Sequence, residues 1–202
     1  KCHAGIDADR GLSIIRASLE CRPTPDPERT SKKRLTAALG SLEYAALNRR
    51  PVDSEGEKRD VVNPATMQPI ARVPRSTAAE FDAAVQAAKA AFPEWRRTPP
   101  LARARCMFRL KELLEENFEE VSRIQTMEHG KTIDESRGET RRGIEMVEVA
   151  TGIPTLMMGT NLEDVASGID EYLIRQPLGV FGIIGPYNFP FMVPLWFAPF
   201  AV

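Results

Sequence analysis

Asn188 is the residue whose type and setting most directly suggest chemistry. It lies in GVFGIIGPYNFPFMVPLW, residues 179 to 196, between Pro186–Tyr187 and Phe189–Pro190. The run GVFGII is continuously apolar and predicts a strand covered on both faces. Asn188 would then follow the carboxyl end of a strand, where the sites of open α/β sheets gather. Its side-chain NH2 is a neutral donor, and flanking prolines restrict the backbone that carries it. A fixed neutral donor at that place suits an oxyanion hole. A turn asparagine that satisfies nearby backbone has the same local pattern, and spacing alone leaves both readings open.

Other residues carry weaker signals. HGKT (129–132) has the Gly-Lys pair of a phosphate loop, but the glycine required five residues earlier is Gln125, so the plain reading is a helix end with a surface lysine. His3 and His129 are the only histidines, and neither has a second ligand at metal spacing, so no metal is expected. Cys106 lies in RARCMFRL near Arg103, Arg105 and Arg109, which could favour a thiolate, but no base accompanies it and a packed thiol is expected. Gly179, Gly182 and Gly185 are spaced G-x-x-G-x-x-G, which is not the dinucleotide fingerprint.

The elements that must position Asn188 can be followed along the chain. ALNRRPVDSEGEKRDVVNPATMQPIARVP predicts two or three short strands with turns at SEG and NPAT. Thr77 and Glu80 form a Thr-x-x-Glu capping box, and the helix after them carries Phe81, Ala84, Val85, Ala88 and Phe92 on one stripe. Pro99 and Pro100 suit the first turn of a second helix, with Met107, Leu110 and Leu114 on one face. A third helix, about 118–128, stops at Gly130, and a fourth, about 132–150, presents Ile144, Val147 and Ala150. EYLIRQPLGV is extended and broken at Pro177, and a last helix starts after Pro190. Helices followed by a buried strand and another helix predict an α/β fold.

Composition excludes several classes. The 202 residues are 43% hydrophobic and 27% charged, with a formal net charge of −1, so no bulk field draws the chain to nucleic acid or a membrane. No apolar run reaches the roughly 20 residues of a membrane span. The three cysteines, Cys2, Cys21 and Cys106, form no CxxC pair and suit a reducing compartment. RPTPDPERTSKKR (22–34) is proline- and charge-rich, and residues 1–43 are expected to be an extension outside the domain at 44–202. Lys1 at the start and the apolar FAPFAV at the end give the expectation of a chain incomplete at both ends.

PLGVFGIIGPYNFPFMVPLW resembles the strand-loop segment of the aldehyde dehydrogenase superfamily, P-x-G-V…I-x-P-(W/F/Y)-N-F-P. NPAT (63–66), AAVQAAKAAFPEW, and EHGKT with a following RGE agree in the same order, so the resemblance covers about residues 45–202. Within the superfamily, FRLKELLEEN, RGIE followed by VE and A, and PLW after NFP resemble the CoA-acylating methylmalonate-semialdehyde dehydrogenase branch. The implied fold is the N-terminal part of a Rossmann-like NAD-binding domain, with part of the oligomerisation strands in EYLIRQPL. The implied cofactor is NAD, with CoA as co-substrate. The implied partners are a small aldehyde and further copies of the chain, in the cytoplasm, or the mitochondrion in a eukaryote.

In that chemistry a cysteine thiolate attacks the aldehyde, hydride passes to NAD, and CoA takes the acyl group as carbon dioxide is lost. Asn188 resembles the asparagine that donates to the thiohemiacetal oxygen. Ile184, Gly185, Pro186 and Tyr187 match the loop beside the nicotinamide. Phe189, Val193 and Trp196 match the wall of the aldehyde tunnel. Arg142 resembles an arginine for the substrate carboxylate, which a guanidinium grips as a fork, and Arg141 is its rival. Gly185 stands where relatives often carry a larger residue, and Tyr187 replaces the commoner Trp or Phe. None of the three cysteines sits in the family's nucleophile motif, so these 202 residues alone are expected to be inactive. An ordinary aldehyde or succinate-semialdehyde dehydrogenase, and a non-catalytic binding chain, are the alternatives.

Overall fold

The computed structural model describes residues 57–202. The extension expected over 1–43 and the turn at SEG lie outside the described residues. Strands β1 (Lys58–Val62) and β2 (Pro69–Pro74) pair antiparallel, with Asp60 opposite Arg72 and an ion pair of 2.7 Å between them. The NPAT turn forms as expected. Asn63 Oδ1 accepts from Ala65 N at 2.9 Å, and Met67 closes the loop onto Asn63 O at 2.7 Å.

Helix α1 (Ala78–Trp95) opens on the expected capping box. Glu80 N donates to Thr77 Oγ1 and Thr77 N to Glu80 Oε2. The stripe behaves differently from a core stripe: Ala84, Val85, Ala88 and Phe92 are half-buried, and Phe81 is exposed. Period alone specifies a face, not its cover, and no described residue lies over Phe81.

Four further helices follow: α2 (Pro100–Glu116), α3 (Phe118–His129), α4 (Ile133–Thr151) and the short α5 (Ile153–Leu156). Pro100 occupies the first position of α2, and α3 ends on Gly130 in the left-handed conformation, both as the sequence predicts. The last helix is α6 (Met192–Ala201). Helix α4 is central and packs against α2, α3 and α6. The core joins Cys106, Leu110 and Leu114 of α2 to Ile144 and Val147 of α4 and Leu195 of α6. Gly143 sets the α4–α6 spacing. A Cβ there would stand 2.9 Å from Leu195 Cδ1 and 3.1 Å from Phe191 Cε1, so only a bare backbone admits α6 this closely.

Strands β3 (Thr160–Ala166) and β4 (Ile169–Leu173) form a second antiparallel hairpin, exposed along its whole length, with an irregularity between Leu162 and Ala166. The expected buried strand at 179–184 is a correction. These residues form no strand, and Val180, Phe181 and Ile184 are exposed. A strand needs a partner ladder for its backbone groups. Both sheets among the described residues are self-contained pairs, so none is offered to it.

Leu114, fully buried, and Phe81, 68% exposed, should separate core from surface. Leu114→Ala is expected to cost about 2–5 kcal/mol, and Phe81→Ala no more than about 0.5 kcal/mol, in urea unfolding followed by helical circular dichroism. Equal costs would contradict this core.

Candidate functional site

Lys131 sits in the three-residue joint, Gly130 to Thr132, between two helices. Gly130 ends α3, and Thr132 caps α4 through a second box, in which Glu135 N donates to Thr132 Oγ1 and Thr132 N to Glu135 Oε2. The joint is short and capped on both sides, so the lysine has one direction to take. It turns inward. Its side chain is 9% exposed and forms an ion pair with Glu139, which is 1% exposed. This corrects the expectation of a surface lysine: HGKT is a helix end, but its cation is buried.

The pair reaches the Asn188 loop directly. Lys131 Nζ donates to Asn188 O at 2.9 Å and lies 5.1 Å from the Phe189 ring centre. Glu139 Oε1 accepts from Phe191 N at 2.9 Å and Met192 N at 3.1 Å. Those amides open α6, where helical N–H groups lack intrahelical partners and the dipole favours an anion. Gln125 completes the shell. With Oε1 accepting from Thr140 Oγ1 at 2.7 Å, its Nε2 donates to Glu139 at 2.9 and 3.2 Å. That orientation is assigned from the network, because the other sets the amide oxygen against the carboxylate. Ser122 Oγ donates to Thr140 Oγ1 at 3.0 Å, extending the chain into α3.

Asn188 itself is exposed, and its side-chain amide has no hydrogen-bond partner among the described residues. Only its carbonyl is held. Tyr187 stacks on His129 with ring centres 4.9 Å apart, and its hydroxyl reaches Glu128 O at 3.5 Å. His129 Nδ1 is buried without a hydrogen-bond partner among the described residues. Burial pushes the Glu128 carboxyl above its ordinary range, with His129 pulling weakly the other way. Gly185 is bare for a steric reason, since a Cβ would lie 2.9 Å from Pro194 Cγ.

The remaining sequence-predicted residues divide into two groups. Phe189, Val193 and Trp196 follow at i, i+4 and i+7, one apolar face of α6 and its lead-in. The adjoining face, Met192, Leu195 and Ala198, is buried. Ile184 is 97% exposed. Arg142 and Arg141 differ sharply. Arg141 grips Glu115 with two hydrogen bonds of 2.7 and 3.0 Å and lies over the Phe118 ring. That guanidinium holds the Glu115 carboxyl below its ordinary range. Arg142 is exposed, has no polar partner among the described residues, and follows Glu139 by one helical turn.

The arrangement offers a free neutral donor on a fixed loop, an apolar face beside it, and an uncommitted guanidinium on α4. Sequence reasoning missed Lys131, Glu139 and Gln125. One signal was available: Glu139 falls in register with Ser136, Gly143 and Val147 on the buried face of α4, where an acid demands a partner.

Residues 52–202 match the model of the aldehyde dehydrogenase family. The chain is 52% identical over 149 residues to malonate-semialdehyde dehydrogenase 2 of Geobacillus thermodenitrificans (strain NG80-2), covering 74% of this chain and 31% of that one. It is 50% identical over 143 residues to the mitochondrial methylmalonate-semialdehyde dehydrogenase [acylating] of Arabidopsis thaliana, covering 71% and 24%. A Sinorhizobium meliloti 1021 chain, assigned to methylmalonate-semialdehyde dehydrogenase and solved in complex with NAD, superposes with a TM-score of 0.68 at 41% identity, covering 73% and 30%. The chain thus spans under a third of the length of these relatives.

Glu128 gives a pH test of the loop's surroundings. Its folded pKa is raised, so the folded state keeps the proton to higher pH than the unfolded one. Stability is therefore full at low pH and falls as pH rises from the unfolded towards the folded value. Glu128→Gln should remove that fall in urea midpoints measured from about pH 4 to pH 8. Parallel pH profiles for the two proteins would show that the carboxyl is not desolvated.

Proposed function

The chain belongs to the aldehyde dehydrogenase family, and from that premise we propose that it works within an NAD-dependent, CoA-acylating dehydrogenase of malonate or methylmalonate semialdehyde. The observation that carries this reading is the unpartnered side-chain amide of Asn188, presented on a loop whose main chain is pinned from both sides. In this role the amide donates to the aldehyde oxygen as negative charge develops there. A donor already in place does not have to reorganise at that moment. The nucleophilic cysteine is assigned by the resemblance to sequence outside these 202 residues.

NAD is supported by the relative solved with it and by the chemistry of the loop. Ile184 and Tyr187 are exposed and offer apolar contact to a nicotinamide, and Gly185 adds no side chain that would obstruct it. When bound, NAD supplies the hydride acceptor. Phe189, Val193 and Trp196 provide an apolar wall that keeps water from the acylated centre. Arg142 is the guanidinium for the substrate carboxylate, since Arg141 is committed to Glu115. The exposed β3–β4 hairpin, with Leu162, Ile169 and Tyr172 uncovered, is the surface for assembly with further copies.

The test uses the protein expressed from its complete reading frame. Asn188→Ala should lower kcat for acylation about 10²–10³-fold. An unchanged rate in a folded variant would remove Asn188 from the reaction. Arg142→Ala should raise KM for the semialdehyde far more than for propanal, and Arg141→Ala should leave that ratio alone. A similar KM change for both aldehydes would end the carboxylate role. Turnover that proceeds equally without CoA would place the enzyme among the non-acylating dehydrogenases.

A further inference from the structure

We infer that Lys131 and Glu139 are positioning residues for Asn188, setting the direction of its amide through the main chain. This rests on the oxyanion reading of Asn188. The two side chains grip the loop on either side of Pro190. Lys131 Nζ takes the carbonyl of Asn188 on the near side, and Glu139 Oε1 takes the N–H groups of Phe191 and Met192 on the far side. Pro190, between the two clamps, has no N–H and a restricted φ, so fewer main-chain rotations remain there, and Pro186 restricts the approach to Asn188 from the other side. The clamp takes the carbonyl of Asn188 and leaves its side-chain amide for a ligand.

The charges matter beyond geometry. A buried ion pair adds little net stability over apolar packing, but it is unforgiving of misplacement, since separating it strands an unpaired charge. Glu139 receives donors from Lys131, Gln125 and two backbone amides, so a loop displaced by an ångström takes both amides from it together. Such a carboxylate tolerates one loop position and penalises the rest. Lys131 is tied to that carboxylate, and so cannot follow a wandering Asn188 carbonyl.

A double-mutant cycle in the full-length enzyme separates positioning from general support. Lys131→Met should lower kcat at least tenfold in the native background and less than threefold in an Asn188→Ala background, while urea midpoints fall equally in both. Lys131→Arg, which keeps charge and donors, should recover most of the rate. The same factor in both backgrounds overturns the inference and leaves the Asn188 role standing. Backbone exchange in the present chain supplies a readout independent of activity. Glu139→Gln should speed exchange of the Phe191 and Met192 amides at least tenfold relative to the core amides of α4. Unchanged exchange overturns the clamp. If Asn188→Ala itself leaves kcat untouched, the oxyanion reading falls, and the exchange result alone decides whether the clamp is real.

Discussion

The buried pair of Lys131 and Glu139 is the constraint around which this part of the fold is organised. Taking two charges out of water costs on the order of several kcal/mol per ion, and attraction repays that only with good geometry and filled lone pairs. Each requirement recruits an element. The lysine is aimed by a joint capped on both sides by α3 and α4. The carboxylate is completed by Gln125 from α3 and by the first amides of α6. Helix α6 must therefore begin at Met192 and approach α4 at the distance that Gly143 permits. Packing among Ile144, Val147 and Leu195 then supplies the apolar burial that such a polar centre cannot.

Much of the helical framework was legible in the sequence because its signals are local. The Thr77–Glu80 box, Pro100 at a helix start, Gly130 at a helix end and the Leu110–Leu114 face each depend on residues within a turn or two. The strand expected at 179–184 failed for the opposite reason. Its apolar character states a wish to be covered, whereas a strand is made by a neighbouring ladder, and no described element supplies one. The stripe of α1 is the same lesson in a helix.

The site was legible in its exposed half and hidden in its buried half. Motif resemblance pointed to Asn188, its neighbours and Arg142 as the proposed site, because those residues form one continuous segment and one helix position. The difference between Arg142 and Arg141 needed the structure, since only packing reveals that Glu115 and Phe118 occupy Arg141, which supports the proposal of Arg142. Lys131 was misread because a lysine after a helix-ending glycine is ordinarily solvated. Its partner lies eight residues on, a separation that becomes contact only when both helix ends and their caps are known.

The β3–β4 hairpin carries a different consequence. Its ladder is interrupted between Leu162 and Ala166, and Asp164 there adopts a positive φ of 50°. Asp164 Oδ1 accepts from Gly168 N, and Asp164 N donates to Asp170, so the interruption is tied down from within. An irregularity of this kind twists the strand and divides its rim into short stretches. A strand added along that rim finds a few hydrogen bonds and then a kink, not an endless template. The hairpin therefore resists the open-ended stacking that a flat apolar edge invites.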